Sequence, residues 1–153
     1  MKIRIKGRLL PLATIIALCL GTAHAEDTNS PQAYKRSYAQ NYKDLVLATC
    51  LTTAYKGSDE VAKDVGSSIS ALRDWSYYDM EKHPDAISPL IHSYLSRNYF
   101  NPLVEAEVKG VRFDFLKCLD LYHSKELNSL TKELVSEPDR TIEQKNAGRR
   151  TKE

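Results

Sequence analysis

The sequence predicts an all-α protein, a small bundle of about five helices around a central helix. Three observations lead there. In the stretch Val111 to Leu127, VRFDFLKCLDLYHSKEL, Asp114, Lys117 and Asp120 share one narrow helical face, and Phe113, Phe115, Leu116, Cys118, Leu119, Leu121 and Tyr122 cover the remainder. A helix apolar around most of its girth is buried among other elements. Other stretches repeat apolar residues at spacings of three and four, the period of a helix face. Finally, 153 residues with 42% hydrophobic and 27% charged content make an ordinary globular chain, able to bury about two thirds of its unfolded surface.

The chain begins with an address. Lys2, Arg4, Lys6 and Arg8 precede an apolar run from Leu9 to Leu20, and Ala23-His24-Ala25 places small residues where a signal peptidase reads. The run is too short to span a bilayer comfortably, so residues 1–25 read as a signal peptide cleaved before Glu26, leaving no membrane anchor. Leu18 stands before Cys19, where lipoprotein processing requires a small residue. Cleavage removes four of the 22 basic residues, and 18 against 20 acids gives the mature chain a net charge of −2. That balance leaves no electrostatic footprint for nucleic acid. Of three cysteines, Cys50 and Cys118 remain. An even count in an exported chain predicts a disulfide; the alternative is two free buried thiols, which behave as small apolar side chains.

Residues 26–36 read as a polar leader and 37–136 as the helical domain. From Tyr34 on, Tyr38, Tyr42, Leu45, Val46, Thr49, Cys50 and Ala54 line one side of a first helix that Gly57 stops. Ser58 caps a second, with Asp59 and Glu60 in the first turn where the helix dipole favours them. Val61, Val65, Leu72 and Trp75 form its face, and it is expected to continue through Tyr77, Tyr78 and Met80. Gly66-Ser67-Ser68 marks either a close helix approach or a kink. A third helix starts near Pro84 and ends near Arg97, with Ile87, Leu90, Ile91, Tyr94 and Leu95 inward. Asn98 to Gly110, NYFNPLVEAEVKG, is irregular, rich in turn-formers yet carrying Leu103, Val104 and Val108. It is long for a helix–helix connection, and long loops in compact domains are often functional. After the central helix, Ser124 caps a short helix from Lys125 to Val135. Residues 137–153 have almost no apolar side chain and are expected to form a disordered charged tail.

Enzymatic chemistry finds little support. A cysteine hydrolase built on Cys118 needs a base within hydrogen-bond reach. His123 is five residues on and points elsewhere on a helix, and apolar neighbours dull a thiol. His83, His92 and His123 form no HExxH pattern, and no CxxC pair, GxGxxG, P-loop or GxSxG occurs, so no metal or cofactor is implied. A carboxylate-dependent hydrolase has no pair of acids that the sequence selects. Nine tyrosines and one tryptophan stand out. Tyrosine serves interfaces well, having large area, few rotors and a polar tip; it equally often rims a core with its hydroxyl in water. The residues alone therefore describe an exported, helical binding protein.

A resemblance goes further. Across YAQNYKDL (38–45), GSS (66–68), WSYYD (75–79), NPLVE (101–105) and above all FDFLKCLDLYHSKEL (113–127), the chain resembles the periplasmic immunity proteins that neutralise the fourth group of type VI secretion amidase effectors. The likeness spans roughly residues 38–135. It implies a small all-α periplasmic protein without catalytic activity that binds a papain-like peptidoglycan amidase. It also implies a homodimer engaging two toxin molecules, with a protruding loop in each catalytic groove. Mapped onto this chain, Asn101, Pro102, Leu103 and Glu105 are the candidate plug, flanked by Tyr77, Tyr78 and Tyr99. An alternative for Leu103 and Val104 is that they fold inward and pin the loop. Two other functional classes stay open, an envelope hydrolase and a periplasmic chaperone or inhibitor of an unrelated partner.

Overall fold

A computed structural model describes residues 30–150. The expected signal peptide and cleavage site, most of the expected leader and the last three residues lie outside the described residues. Among the described residues, seven α-helices follow a 3₁₀ turn, Gln32–Lys35: α1 Tyr38–Ala54, α2 Asp59–Asp74, α3 His83–Leu95, α4 Pro102–Glu107, α5 Asp114–Tyr122, α6 Lys125–Leu134 and α7 Ile142–Arg150. The all-α class holds; the helices beyond the expected five are α4 and α7.

The helix at the centre is α1, against which α2, α3, α5 and α6 all pack. It starts where a capping box permits. Ser37 Oγ accepts from Gln40 N–H at 3.2 Å, and Gln40 Oε1 accepts from Ser37 N–H at 3.1 Å. Tyr38, Tyr42, Val46 and Cys50 are buried along it and cluster with Ile87, Ile91 and Tyr94 of α3 and Cys118 and Leu121 of α5, while Leu45 clusters with Ala33 and with Leu72 of α2. The Cys50–Cys118 disulfide, 2.03 Å between sulfurs, joins α1 to α5.

Helix α2 departs from expectation twice. It stops at Asp74 rather than continuing to Met80, because its neighbours claim the backbone that follows. Asn41 Nδ2 donates to the carbonyls of Ala33 (2.8 Å) and Trp75 (2.9 Å). Beyond it, Ser136 N–H donates to Tyr77 and Asp79 N–H to the Leu134 carbonyl, both at 2.9 Å. The segment is thus held extended against the end of α6. Gly66 also lies in one unbroken helix, and a Cβ added there would meet nothing within 4 Å, so neither a close approach nor a break accounts for it.

The expected disordered tail is folded through residue 150. Thr141 and Gln144 form a second reciprocal capping box at 3.1 Å each way. The carbonyls of Pro138 and Arg140 accept from Ala39 and Tyr38 N–H at 3.0 and 2.8 Å. These are orphan donors at the start of α1. Ile142 packs on the core and Lys145 lies 3.8 Å over the Tyr77 ring. Ending the chain at Pro138 is therefore expected to cost about 1–3 kcal/mol for the stranded Tyr38 donor. A urea midpoint equal to that of the full chain would contradict this.

Candidate functional site

The polar face foreseen on α5 is inverted. Asp114 and Lys117 are buried, at 8% and 3% exposure, whereas Phe115 and Leu116 stand 49% and 46% exposed. Burial is possible because the two charges satisfy each other. Lys117 Nζ donates to Asp114 Oδ1 at 2.9 Å and to the Leu95 carbonyl at 3.1 Å, and Arg112 Nε approaches the other Asp114 oxygen at 3.3 Å. Phe113 enters α5 in the left-handed region, φ 55°, an uncommon conformation for a bulky residue. Only Asp120 of the three polar residues is exposed, and its carboxylate accepts from the Tyr99 hydroxyl. That neighbouring carboxylate holds the Tyr99 phenol above its ordinary pKa.

Between α3 and α5 the chain presents the candidate plug. Asn101 Oδ1 accepts from Leu103 N–H at 3.1 Å and Pro102 takes the first helical position. The pair read as turn-formers is thus a helix start. No residue of α4 is buried, and Leu103 is 80% exposed. Leu103 does not fold inward; Val104 is half-buried. Glu105 Oε1 accepts from Gly110 N–H at 3.3 Å, which closes the loop on itself. Phe100 and Val108, 69% and 57% exposed, extend the apolar surface. A shallow hollow lined by Tyr99, Phe100, Asn101, Phe113 and Leu116 joins the loop to α5.

The remaining candidates fall elsewhere. Tyr77 is exposed but stacked 5.0 Å from Tyr38. Tyr78 turns inward to Tyr42 and His83, with ring centroids 5.1 and 4.9 Å away. The two tyrosines contact α1, α7 and the start of α3, whereas the loop contacts the end of α3 and α5, so the structure does not gather them into one site. Sequence reading did not select Phe100, or Phe115 and Leu116 of α5, as site residues, although all three are exposed next to the loop.

His83 is half-buried, and its Nδ1 shares a hydrogen bond with the Tyr42 hydroxyl at 3.0 Å. Burial, with Arg73 nearby, pushes its pKa below the usual 6.5. Burial likewise pushes the Tyr42 phenol far above its ordinary range. The unfolded chain binds a proton at His83 more readily than the folded one. The stability held by the neutral ring is whole above about pH 6.5 and is lost as pH falls below it. His83→Gln is expected to flatten the pH dependence of the urea midpoint between about pH 7 and 5; an unchanged slope would contradict this.

Among the described residues, Cys118 and the histidines do not converge. The Cys118 sulfur is bonded to Cys50, which consumes the nucleophile that the cysteine-hydrolase reading requires. His92 Nδ1 donates to its own helix at Ser88, and His123 sits edge-on to Tyr122. Among the described residues no three metal-ligating side chains cluster, and no helix is long and apolar enough to cross a membrane.

Residues 40–131 match the family model Tai4, described as type VI secretion system amidase immunity protein. The chain belongs to that family. As a Tai4-family chain it is similar to a solved structure described under new Type VI-secreted toxins and self-resistance proteins in Serratia marcescens. That chain is 31% identical with a TM-score of 0.67, over 82% of this chain and 98% of the other. A second similar structure comes from the Tae4/Tai4 effector–immunity system of Salmonella typhimurium, 25% identical with a TM-score of 0.57, over 67% and 94%. No curated protein matches significantly. The Tai4 match begins at Gln40 and ends at Thr131, so it contains the loop and both halves of the disulfide and leaves α7 outside.

Proposed function

We propose that this Tai4-family immunity protein acts in the periplasm, where it binds a type VI peptidoglycan amidase and seats loop 98–110 in the enzyme's catalytic groove. The observation that carries the reading is Leu103, 80% exposed on a helix with no buried residue. A projecting apolar residue with no fold contact to lose is suited to be an interface anchor. A papain-like groove accepts extended peptide, and the acids Glu105 and Glu107 beside Leu103 offer partners to a protonated catalytic histidine. The Salmonella structure is of an effector with its immunity protein, which supports a cognate amidase as the partner here. The N-terminal signal pattern and the disulfide both suit an oxidising exported compartment. The protein is proposed to inhibit by binding alone, as a homodimer carrying two toxin molecules; light scattering of the complex tests that stoichiometry.

Leu103→Ala with Glu105→Ala is expected to weaken calorimetric affinity by about a decade or more for each anchor. The melting curve should stay in place. Normal binding by a normally melting variant would move the interface elsewhere. Release of peptidoglycan fragments by the purified protein itself would favour the hydrolase reading.

A further inference from the structure

The loop has almost nothing of its own to hold it. Helix α4 buries no side chain, and six residues make little more than one turn, far below the length at which an isolated helix is stable. What joins the two stems is polar. Leu95 ends α3 and Asp114 begins α5, and Lys117 Nζ binds both, at 3.1 and 2.9 Å. Farther out, the Tyr99 hydroxyl donates to Asp120 one turn along α5, and Lys117 lies 5.9 Å from the Tyr99 ring. We infer that Lys117 and the Tyr99–Asp120 pair are positioning residues that hold the loop in the conformation in which it meets the amidase.

The physical case rests on what an apolar contact does not supply. The last carbonyls of a helix lack intrahelical donors. Lys117 supplies one to Leu95, and so fixes the direction in which the chain leaves α3. Two buried hydrophobes would fill the same space with equal or better stability, but would set no direction. Tyr99–Asp120 is exposed and contributes little to the fold. Its effect is to restrict the outer stem, and a loop ordered before binding avoids that ordering cost on association. The inference rests on the loop reading above.

The test uses the full mature chain and a type VI amidase of the Tae4 kind that it binds. Tyr99→Phe removes one hydroxyl. Amide exchange in residues 98–113 of the free protein should quicken, while α1, α6 and the melting midpoint stay unchanged. Affinity for the amidase should fall about five- to tenfold. Asp120→Ala should do the same, Asp120→Asn should retain tight binding because its amide oxygen still accepts, and Tyr99→Phe with Asp120→Ala should be no worse than either alone. Unchanged loop exchange in Tyr99→Phe overturns the inference. So does full affinity in Tyr99→Phe when Leu103→Ala/Glu105→Ala binds weakly. Full affinity in Leu103→Ala/Glu105→Ala overturns the loop reading itself, and this inference with it.

Discussion

Replacing Lys117 by methionine is expected to lower stability by about 3–5 kcal/mol, the cost of leaving one member of a buried ion pair alone. Asp114 is 8% exposed, and Arg112, its other partner, reaches it from a largely solvated position. The loss of Nζ also strands the Leu95 carbonyl. The companion experiment is Asp114→Leu with Lys117→Met. An apolar pair of similar volume should recover most of the loss or exceed it, because nothing charged is left without a partner. Chemical denaturation reads both. Equal destabilisation of single and double variants would show that the pair acts through packing rather than charge.

Removing the disulfide is expected to have a comparable effect. Cys50 and Cys118 are 68 residues apart in sequence, and closing a loop of that length stabilises the fold by roughly 4 kcal/mol in the chain-entropy account. Both cysteines have no exposed surface, so Cys50→Ala with Cys118→Ala also leaves a small void between α1 and α5. A loss of about 2–5 kcal/mol is expected, with binding to the amidase retained by the molecules that remain folded. The loop lies between the two cysteines in sequence, but its polar ties do not involve either sulfur. Unchanged stability after mutation or reduction would mean that packing of α1 on α5 already supplies the constraint.

Fold class, the disulfide and most helix starts were legible because local chemistry decides them. Ser58 and Ser124 cap as read, accepting from Val61 and Leu127 N–H, and the apolar faces of α1 and α3 repeat at helical period. The end of α2 was hidden because Asn41, 34 residues away, takes the Trp75 carbonyl. The inversion on α5 was hidden for a related reason. Periodicity sorts residues by polarity, whereas Asp114 and Lys117 are inside because they satisfy one another and Leu95. The terminal helix carried a visible signal in Thr141-x-x-Gln144, a capping-box spacing outweighed by the scarcity of apolar residues around it. Within the candidate site, NPLVE read as a turn with an apolar insertion. Asn101 followed by Pro102 is also a helix start, and Leu103 is exposed because six residues are too few to bury a face.

The most direct test of loop occlusion is protection of the amidase's catalytic thiol. The purified effector is treated with a small alkylating reagent alone, with a stoichiometric amount of this protein, and with Leu103→Ala/Glu105→Ala at a concentration that still saturates binding. If loop 98–110 fills the groove, wild-type protein should slow alkylation of that thiol strongly and the double variant should restore much of the rate. Alkylation at the free-enzyme rate in a saturated wild-type complex would contradict the account, because the groove would then be open while the immunity protein is bound.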